Sequence, residues 1–376
     1  MRVLIAGGGT GGHVYPALAI MDGLLQSGES DVEIAYVGSR RGIETRIFSG
    51  HSATRFFRIH VRGLERHHPL QNLCSLLLLV LGATETLLLL LRFRPHVIIG
   101  MGGYASFPAV LLGSLAGRIL PVRTLIHEQN VAAGLTNRLL APLVDKVLVS
   151  YPQSKRYFGT ARQTVVTGNP IRKEFHLARR SDPLYRKYGL VPERRTVLVF
   201  GGSRGSGAFT DAVLRAKAAI AEDDALQVLL VTGENGEKSA VRKTLRQAGV
   251  MNVAVRSYID RMDEAFALAD LIVCRAGASS LAEITSCGKP AVLIPWEDAA
   301  DDHQRENARI LEEQGACVLI EEKDFAKLSL ATLIHEIVED ERRLLQIGTN
   351  SVRLGRRGAT TLILGEIAAL VRKGPA

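Results

Sequence analysis

The sequence predicts an α/β protein with two Rossmann-like domains, each a parallel sheet covered by helices on both faces. Three observations predict this fold class. Short apolar runs alternate with helical segments along the chain, and 376 residues suit two domains better than one. The alternation also starts twice with a strand, a glycine turn and a helix, first as VLIAGGGTGGHVYPALAI and again as VLVFGGSRGSGAFTDAV.

The strand candidates form two series. The first contains VLIAG (3–7), VEIAYVG (32–38), HVIIGMG (96–102), TLIHE (124–128), KVLVS (146–150) and TVVTG (164–168). The second contains TVLVFGG (196–202), QVLLVTG (227–233), VAVRSYI (253–259), LIVCRAG (271–277), AVLIPW (291–296) and ACVLI (316–320). A basic, turn-rich stretch over 169–195 separates the series and marks the domain boundary. Since such sheets bind ligands at the carboxyl ends of their strands, we expect a ligand cleft between the two domains.

The composition is that of a globular protein with anionic partners. Hydrophobic residues make up 47% of the chain, and a net charge of +9 favours phosphates, nucleic acid or an anionic membrane surface. Nucleic acid is not expected, because aromatic residues are only 5% and no nucleic-acid motif occurs. A cytoplasmic location is expected, since the N-terminus lacks the features of a signal peptide. The four cysteines, Cys74, Cys274, Cys287 and Cys317, are widely spaced without a C-x-x-C pair, so we expect free thiols.

One segment, PLQNLCSLLLLVLGATETLLLLLRFRP (69–95), is nearly apolar enough to span a membrane. Glu85 would be costly at the middle of a bilayer, by about 2.5–3.5 kcal/mol, so a crossing is not expected. Two interpretations remain open. The segment is a buried helix of the first domain, or it is a partly exposed helix that docks on an anionic bilayer beside Arg62, Arg66, Arg92 and Arg94.

Three glycine turns follow three strands, at 7–13, 100–106 and 201–207. Glycine lets the backbone approach a ligand closely, and amides at a helix N-terminus suit phosphate. The first turn also fits the pattern G-x-G-x-x-G, typical of a dinucleotide site. Such a site needs an acidic residue after the second strand, where this chain has Ser39-Arg40-Arg41. An NADP-dependent oxidoreductase therefore stays an alternative, although it leaves the turn of the second domain unexplained.

The segment CRAGASSLAEI (274–284) predicts a strand followed by a helix. The amides of Ala278, Ser279 and Ser280 are candidates for holding a diphosphate, and Glu283 for accepting the two hydroxyls of a ribose. The alternative is an ordinary capped helix, with Ser279 or Ser280 as its cap.

Two polar clusters follow other strands. In AVLIPWEDAADDHQRENAR (291–309), the polar residues are Asp298, Asp301, Asp302, His303, Gln304 and Asn307. The amide side chains among them suit sugar hydroxyls, because each amide both donates and accepts hydrogen bonds. A metal site is the alternative interpretation of this cluster. In HEQNVAAGLTNR (127–138), a strand of the first domain ends with four polar residues, which are His127, Glu128, Gln129 and Asn130. Helix capping by Asn130 would explain only one of the four.

Seven motifs in order make the chain resemble glycosyltransferase family 28, the UDP-GlcNAc transferases of bacterial peptidoglycan synthesis. They are GGTGGHVYPALA, GMGGYASFPAVL, HEQNVAAGLTNR, TGNPIRKEF, FGGSRGSGAFTD, CRAGASSLAE and DDHQRENA. The resemblance implies a GT-B fold with an N-terminal acceptor and membrane domain over 1–171 and a UDP-GlcNAc-binding domain over 172–354. A final helix within 355–376 would pack back on the first domain.

The activity implied is the inverting transfer of GlcNAc from UDP-GlcNAc to lipid I, at the cytoplasmic face of the bacterial plasma membrane. The resemblance implies no metal and no cofactor. The donor-binding positions that it implies are Thr10, Gly11, Gly12, Asn130, Arg172, Ser203, Ile259, Met262, Ala278, Ser279, Ser280, Leu281, Ala282, Glu283 and Gln304.

Inversion requires a base for the attacking C4 hydroxyl of MurNAc. His13 is the first candidate, because a histidine titrates near neutral pH, and Glu128 is the second. Helix amides after Gly277, together with Ser203 and Arg172, would stabilise the leaving diphosphate. The diphosphate of the acceptor would lie on the glycine turns of the first domain, at Gly9, Gly102, Gly103 and Tyr104.

The sequence departs from the family pattern at three positions. Arg204 stands where the family usually has Gln, and Phe107 and Val131 each replace a common glycine. Arg204 would place a cation at the donor phosphates, and the other two would change the fit of the acceptor.

Overall fold

The computed structural model describes residues 1–28, 32–40, 42–48, 54–63, 69–202, 205–233 and 238–372. The chain divides into two compact units. Unit 1 comprises Met1–Arg172 and Arg357–Ala376, and unit 2 comprises Lys173–Arg356. Arg66, Ser203 and Arg204 lie outside the described residues, so the roles expected for them stay predictions.

Unit 1 contains a parallel sheet. Its described strands are β1 (Arg2–Ala6), β2 (Glu33–Ser39), β3 (Arg55–Ile59), β4 (Val97–Gly100), β5 (Arg123–Glu128), β6 (Lys146–Val149) and β7 (Thr164–Val166). Within the described residues the strands are ordered β3-β2-β1-β4-β5-β6-β7, with parallel pairing throughout. The order reverses at β1, which lies between β2 and β4. Ligands bind such sheets outside the carboxyl ends of the strands at this point.

Helices cover both faces of this sheet. They are α1 (Gly11–Gln26), α2 (Glu44–Phe48), α3 (Pro69–Phe93), α4 (Ser106–Ala116) and α5 (Leu135–Leu140). Successive residues of a strand point to opposite faces, and here both faces are buried. Val3 and Ile5 of β1 accordingly pack in one apolar core with α1, while Leu4 and Ala6 pack in another with α4.

Unit 2 contains a second parallel sheet. Its described strands are β8 (Arg195–Phe200), β9 (Leu226–Val231), β10 (Val253–Arg256), β11 (Leu271–Cys274), β12 (Ala291–Leu293) and β13 (Val318–Leu319). Among the residues described, the order is β10-β9-β8-β11-β12-β13, again with parallel pairing. The reversal lies at β8, so β11 and the helix that follows it lie next to this point.

The helices of unit 2 alternate with these strands. They are α6 (Glu174–Leu177), α7 (Asp182–Tyr188), α8 (Gly207–Arg215), α9 (Lys217–Glu222), α10 (Lys238–Gln247), α11 (Met262–Leu268), α12 (Ala278–Cys287), α13 (His303–Glu313), α14 (Glu322–Phe325), α15 (Leu330–Val338) and α16 (Glu341–Leu354). Both units have the parallel α/β architecture expected from the sequence.

Some element boundaries differ from the predicted ones. Strand β3 was not predicted, because two arginines interrupt its apolar residues in the sequence RFFRI. It lies at the edge of the sheet, where charged side chains can remain exposed to solvent. Helix α1 begins at Gly11, inside the first predicted glycine turn at 7–13. Strand β10 ends at Arg256, three residues before the predicted end.

Helix α3 presents one apolar face that none of the described residues covers. Ser75–Phe93 is long and apolar enough to cross a membrane, by length and composition alone. A stripe of side chains at helical spacing is at least 61% exposed: Leu73, Leu77, Val80, Leu88 and Leu91. The opposite face packs on unit 1 through Gly82, Thr86, Leu89 and Phe93. Interpreting the segment as a buried helix is therefore wrong for this face.

Glu85 anchors the middle of α3 to the end of β3. Its carboxylate accepts hydrogen bonds from the backbone amide of His60 at 2.7 Å and from His60 Nδ1 at 2.6 Å. Burial raises the pKa of this carboxyl, but the hydrogen bonds from His60 outweigh burial and hold the pKa below its usual value. A Cβ on Gly82 would lie 2.4 Å from the carbonyl oxygen of His60, so α3 approaches this backbone closely.

The last helix, α17 (Ala359–Arg372), belongs to unit 1 although unit 2 precedes it in the chain. It packs against α1, and Ile363, Ile367 and Leu370 are buried in the same core as β1. Glu366 of α17 pairs with the buried ammonium of Lys146 on β6.

Candidate active site

A buried carboxylate holds the first glycine turn of unit 1. Glu44, which is fully buried, accepts hydrogen bonds from the amide of Gly9 at 3.2 Å and from the amide and hydroxyl of Ser39 at 2.8 and 2.6 Å. The Tyr36 hydroxyl donates to the Gly7 carbonyl at 2.8 Å, and burial, with the nearby Glu44 carboxylate, raises the pKa of Tyr36 well above its usual value. Sequence analysis did not single out Glu44, which is distant in sequence from the turn that it holds.

Gly8 and Gly9 need to be glycine for different reasons. A Cβ on Gly8 would lie 2.3 Å from a carboxylate oxygen of Glu44, so a side chain there would displace the buried carboxylate. Gly9 adopts a φ of +90°, which disfavours other residues, and a Cβ on it would meet nothing within 4 Å. Gly9 is therefore exposed at its Cα, while its amide is held by Glu44.

His13 lies in the first turn of α1, with a defined ring orientation. Its Nδ1 donates to the Gly8 carbonyl at 3.1 Å and lies 3.4 Å from the hydroxyl of Thr10. A carbonyl oxygen only accepts hydrogen bonds, so the neutral ring carries its proton on Nδ1 and its lone pair on Nε2. Both ring nitrogens lie against the second glycine turn: Nε2 is 3.1 Å from where a Cβ on Gly102 would be, and Nδ1 is 3.3 Å from where a Cβ on Gly103 would be.

The second glycine turn packs directly on the first. Gly102 and Gly103 adopt φ values of +89° and +75°, and a Cβ on Gly103 would lie 2.5 Å from the Gly8 carbonyl. Tyr104, the next residue, is exposed. Gly102 and Gly103 thus lie against His13, the Tyr104 ring lies 2.6 Å from where a Cβ on Gly63 would be, and Phe107 is inside α4.

Glu128, at the end of β5, is committed to its own loop. One carboxylate oxygen accepts from the amide of Asn130 at 3.0 Å and from its side chain at 3.2 Å. The other accepts from the amide of Gly134 at 3.0 Å and from Asn137 Nδ2 at 2.9 Å. Asn130 does not cap α5, whose N-cap is Gly134. The carboxylate therefore shapes the loop.

His127 ties β5 to the segment after β7. The ring is fully buried; Nε2 donates to the Gly168 carbonyl at 3.0 Å, and Nδ1 accepts from Gln129 Nε2 at 3.2 Å. Burial, opposed in part by the bond to Gly168, lowers the pKa of His127 to about 4. The ring is therefore neutral at physiological pH and has a structural role.

The His127 ring makes stability depend on pH. Its pKa is about 4 when folded and about 6.5 when unfolded, so between these values only the unfolded chain binds the proton. The neutral ring therefore stabilises the fold fully above pH 6.5. As the pH falls from 6.5 towards 4, the free energy of unfolding decreases by about 3 kcal/mol. Amide hydrogen exchange of β5 and β7 across this window measures it. In H127Q the same amides should lose this pH dependence, and equal curves for both proteins would contradict the assignment.

Arg172 extends towards the start of α1. Its guanidinium carbon lies 4.9 Å from the centre of the Tyr15 ring, a cation–π contact. Tyr15 is two residues after His13. Thr10 is the N-cap of α1 without a side-chain capping bond, and Gly11 and Gly12 begin the helix, whose first turn carries no acidic residue. An anion is favoured at such a helix start.

In unit 2, the N-terminus of α12 lies next to the strand-order reversal. Gly277 is the N-cap, without a side chain, and a Cβ on it would meet nothing within 4 Å. The hydroxyl of Ser279 is buried and has no partner among the described residues. Because Gly277 is the N-cap, the alternative with Ser279 or Ser280 as the cap is wrong; Glu283 is the sixth residue of the helix and is buried. Of the remaining expected residues, Leu281 is buried, and Ser280 and Ala282 are half-buried.

The remaining donor candidates of unit 2 lie on other loops. Gln304, the second residue of α13, accepts a hydrogen bond from the Trp296 amide at 3.1 Å through Oε1. Ile259 is buried in the loop before α11, and Met262 begins that helix. Before α13, Asp301 and Asp302 both have a φ of +53°, which is unusual for residues other than glycine.

Two further residues position the start of α12, and sequence analysis did not assign them this role. Arg275 pairs with Glu322 and donates to Ser206 Oγ at 3.2 Å and to the carbonyl of Pro295 at 3.2 Å. Asn307 is fully buried and donates to the Ala276 carbonyl at 3.2 Å. In the polar cluster, Asn307 therefore has a structural role. Among the described residues, no three His, Cys, Asp or Glu side chains are grouped closely enough to hold a metal ion.

Two family models match the chain. Residues 3–149 match the glycosyltransferase family 28 N-terminal domain, and residues 196–361 match the glycosyltransferase family 28 C-terminal domain. Curated relatives match over the whole length, under the name UDP-N-acetylglucosamine--N-acetylmuramyl-(pentapeptide) pyrophosphoryl-undecaprenol N-acetylglucosamine transferase. The one from Desulforamulus reducens is 39% identical over 369 residues, 97% of each chain. The one from Desulforudis audaxviator is 37% identical over 380 residues, 100% of each chain.

Solved structures share the fold. Acinetobacter baumannii MurG superposes with a TM-score of 0.73 at 23% identity, covering 98% of this chain and 99% of its own. A UDP-GlcNAc 2-epimerase from Neisseria meningitidis bound to UDP-GlcNAc superposes with a TM-score of 0.66 at 15% identity, covering 98% of this chain and 100% of its own. These likenesses confirm the GT-B fold class expected from the sequence, and they do not by themselves separate a transferase from an epimerase.

Proposed function

The chain belongs to glycosyltransferase family 28, and from this we propose that it transfers GlcNAc from UDP-GlcNAc to the C4 hydroxyl of MurNAc in lipid I, undecaprenyl-pyrophosphoryl-MurNAc-pentapeptide. The product is lipid II, for peptidoglycan synthesis. The observation that carries this proposal is the 39% identity to a curated transferase of that name across 97% of both chains. The alternative of an NADP-dependent oxidoreductase finds no support in these similarities.

His13 is the proposed base of the reaction. Inversion needs a group that takes the proton of the attacking hydroxyl as the bond to the anomeric carbon forms and UDP departs. The hydrogen bond from Nδ1 to Gly8 orients the ring with its lone pair on Nε2, next to Gly102. Glu128 is less suited, because both of its oxygens already accept hydrogen bonds.

The start of α12 is the proposed site of the donor diphosphate. A helix N-terminus offers unpaired amides and a positive dipole end, and the buried Ser279 hydroxyl adds a donor without a partner in the described structure. Glu283 would accept the ribose hydroxyls, and Gln304 would contact the sugar through its amide nitrogen. Ile259 and Met262 would lie at the nucleotide, with Asn130, Arg172, Thr10, Gly11, Gly12 and Ser203 as further donor contacts.

Unit 1 is the proposed acceptor and membrane domain. Its two packed glycine turns expose backbone for the diphosphate of lipid I. The exposed apolar stripe of α3 suits the surface of a bilayer, because soluble proteins rarely leave such a face uncovered. Arg92 and Arg94 at the end of α3, with Arg62, would face anionic lipid headgroups. The protein would then bind the cytoplasmic face of the plasma membrane peripherally.

The membrane proposal predicts a loss of binding in α3 variants. Changing both Leu77 and Leu88 to serine should weaken binding to phosphatidylglycerol vesicles by more than about tenfold, because burying each leucine contributes about 1.5–3 kcal/mol. Reversing the charges of Arg62, Arg92 and Arg94 should weaken binding at low salt and have less effect at high salt. Vesicle co-sedimentation measures both. Leu345→Ser, at a 72% exposed leucine of α16, is the matched control; unchanged binding of the α3 variants would refute this surface.

The activity itself is tested with radiolabelled UDP-GlcNAc and a soluble lipid I analogue. Label should pass to the analogue, with a β-1,4 linkage detectable by NMR. UDP should protect the protein against thermal unfolding, and NADP should not. Failure to label the analogue under conditions where UDP-GlcNAc binds would contradict the transferase proposal.

A further inference from the structure

One buried segment of unit 1 has an unusually defined backbone. It runs over residues 167–171 after β7 and is buried throughout, without regular secondary structure. Gly168 has a φ of +87°, its amide donates to the Val149 carbonyl, and its own carbonyl accepts from His127. Pro170 restricts the residue before it to an extended conformation. Asn169 is therefore held in a fixed position.

The side chain of Asn169 is buried, and it makes no hydrogen bond within the described structure. The residue is 7% exposed, and neither Oδ1 nor Nδ2 has a hydrogen-bond partner among the residues that the structure describes. Buried amides are nearly always hydrogen-bonded, since an unpaired polar atom loses its water without compensation. The conclusion is the same whichever way the amide is turned, because both polar atoms are unpaired.

Asn169 lies at the sheet edge that carries other residues of the proposed site. Asn169 and Asn130 follow the carboxyl ends of β7 and β5, which both pair with β6. Arg172, three residues on, stacks on Tyr15, and Tyr15 follows His13 by two residues. Asn169 therefore belongs to a segment that reaches α1, the helix that carries the proposed base.

A carboxamide with both ends unpaired can donate a hydrogen bond through Nδ2 and accept one through Oδ1. A secondary amide is trans, so its C=O and its N–H lie on opposite sides, and Asn169 would pair with one of them: the C=O accepting from Nδ2, or the N–H donating to Oδ1. In the proposed reaction the sugars of the donor and of the acceptor both carry an N-acetyl group, whose nitrogen is bonded to ring carbon C2. The uracil imide offers a donor and an acceptor side by side, but the ribose and the diphosphate separate it from the anomeric carbon.

We propose that Asn169 binds the N-acetyl amide of a substrate sugar and thereby selects N-acetylated hexosamines. This inference rests on the proposed function. The amide belongs either to the GlcNAc of the donor or to the MurNAc of the acceptor. A residue in this role contributes to transfer of N-acetylated sugars and contributes nothing once the N-acetyl group is absent.

The test is a double-mutant cycle between residue 169 and the N-acetyl group. Wild type and N169A are assayed for kcat/KM with UDP-GlcNAc and UDP-glucose, and with a lipid I analogue and its 2-hydroxy counterpart. N169A should lose about 10- to 100-fold with the recognised N-acetyl substrate, and no more than twofold with its counterpart. Coupling to the donor or to the acceptor identifies which sugar is bound. N169D, which keeps the shape but lacks the N–H donor, should fall between wild type and N169A or lose the full factor.

Controls separate this inference from a general loss of structure and from the function itself. N350A removes an amide of unit 2 that donates to the Gly315 carbonyl and should show no coupling. Equal loss by N169A with all substrates would overturn the proposal, as would full activity. So would weaker binding of UDP alone in N169A, which would indicate contact with the uracil. If wild type transfers no GlcNAc at all, the proposed function fails before Asn169 is tested.

Discussion

Replacing His13 with alanine is expected to lower kcat by about 10²–10⁴-fold, the usual loss on removal of a general base. The Kd for UDP-GlcNAc should stay close to that of the wild type, because the role proposed for the ring is to take a proton from the acceptor and not to bind the donor. The Nδ1 bond to Gly8 at 3.1 Å gives the ring its tautomer, so the effect rests on one defined atom, Nε2. Single-turnover kinetics with saturating donor measure the chemical step directly.

A matched control is His335→Ala. His335 is a surface residue of α15 that pairs with Glu339 at 3.0 Å, and its loss should leave turnover unchanged. If H13A keeps near-normal turnover, His13 is not the base. Glu128→Gln tests the other candidate: because Glu128 holds its loop through four hydrogen bonds, its loss should reduce thermal stability as well as activity.

Removing residues 357–376 is expected to unfold unit 1. Ile363, Ile367 and Leu370 are buried in its core. Losing one such side chain costs about 2–5 kcal/mol, and three together reach the whole stability of a typical domain, about 5–15 kcal/mol. The buried ammonium of Lys146 would also lose Glu366, its partner, and an unpaired buried charge is strongly destabilising.

Limited proteolysis measures this outcome. In the truncated protein, cleavage should spread through the sheet of unit 1, while a fragment close to 173–356 resists. Removing only residues 373–376 is the control and should change nothing in the digestion pattern. A truncated protein whose unit 1 remains protected would show that α17 contributes little to the fold.

The fold was predictable from the sequence because buried parallel strands are continuous apolar runs. VLIA, VIIG and LIVC are visible as strands without any knowledge of their neighbours. Strand β3 was missed for the converse reason: an edge strand is partly exposed, so RFFRI carries charge. A partly exposed α3 was one of two interpretations, but the sequence could not show which face is exposed, since leucine occurs on both sides of that helix and its sequence shows no amphipathic pattern.

Candidate site residues were predictable where glycines and polar residues follow strands. Their roles were less so. Glu128 was a candidate base from its residue type, yet its hydrogen bonds show a carboxylate committed to its loop. Glu44 was not found, because the amides that it binds come close to it only in the folded chain. Asn169 was not found for the opposite reason: it is notable because its side chain has no hydrogen-bond partner in the described structure. The sequence of TGNPIRKEF indicates a turn and gives no sign that one amide within it is buried and unpaired.

The placement of α17 has a consequence for how the protein is made. Unit 1 begins at the first residue, but its core needs the last helix of the chain. On the ribosome, unit 2 is therefore the first to be complete, since residues 173–356 leave the exit tunnel as one continuous stretch. Domains usually fold in the order of their synthesis. Here the order is reversed: the N-terminal half waits, with part of its core uncovered, until unit 2 and then α17 have left the ribosome.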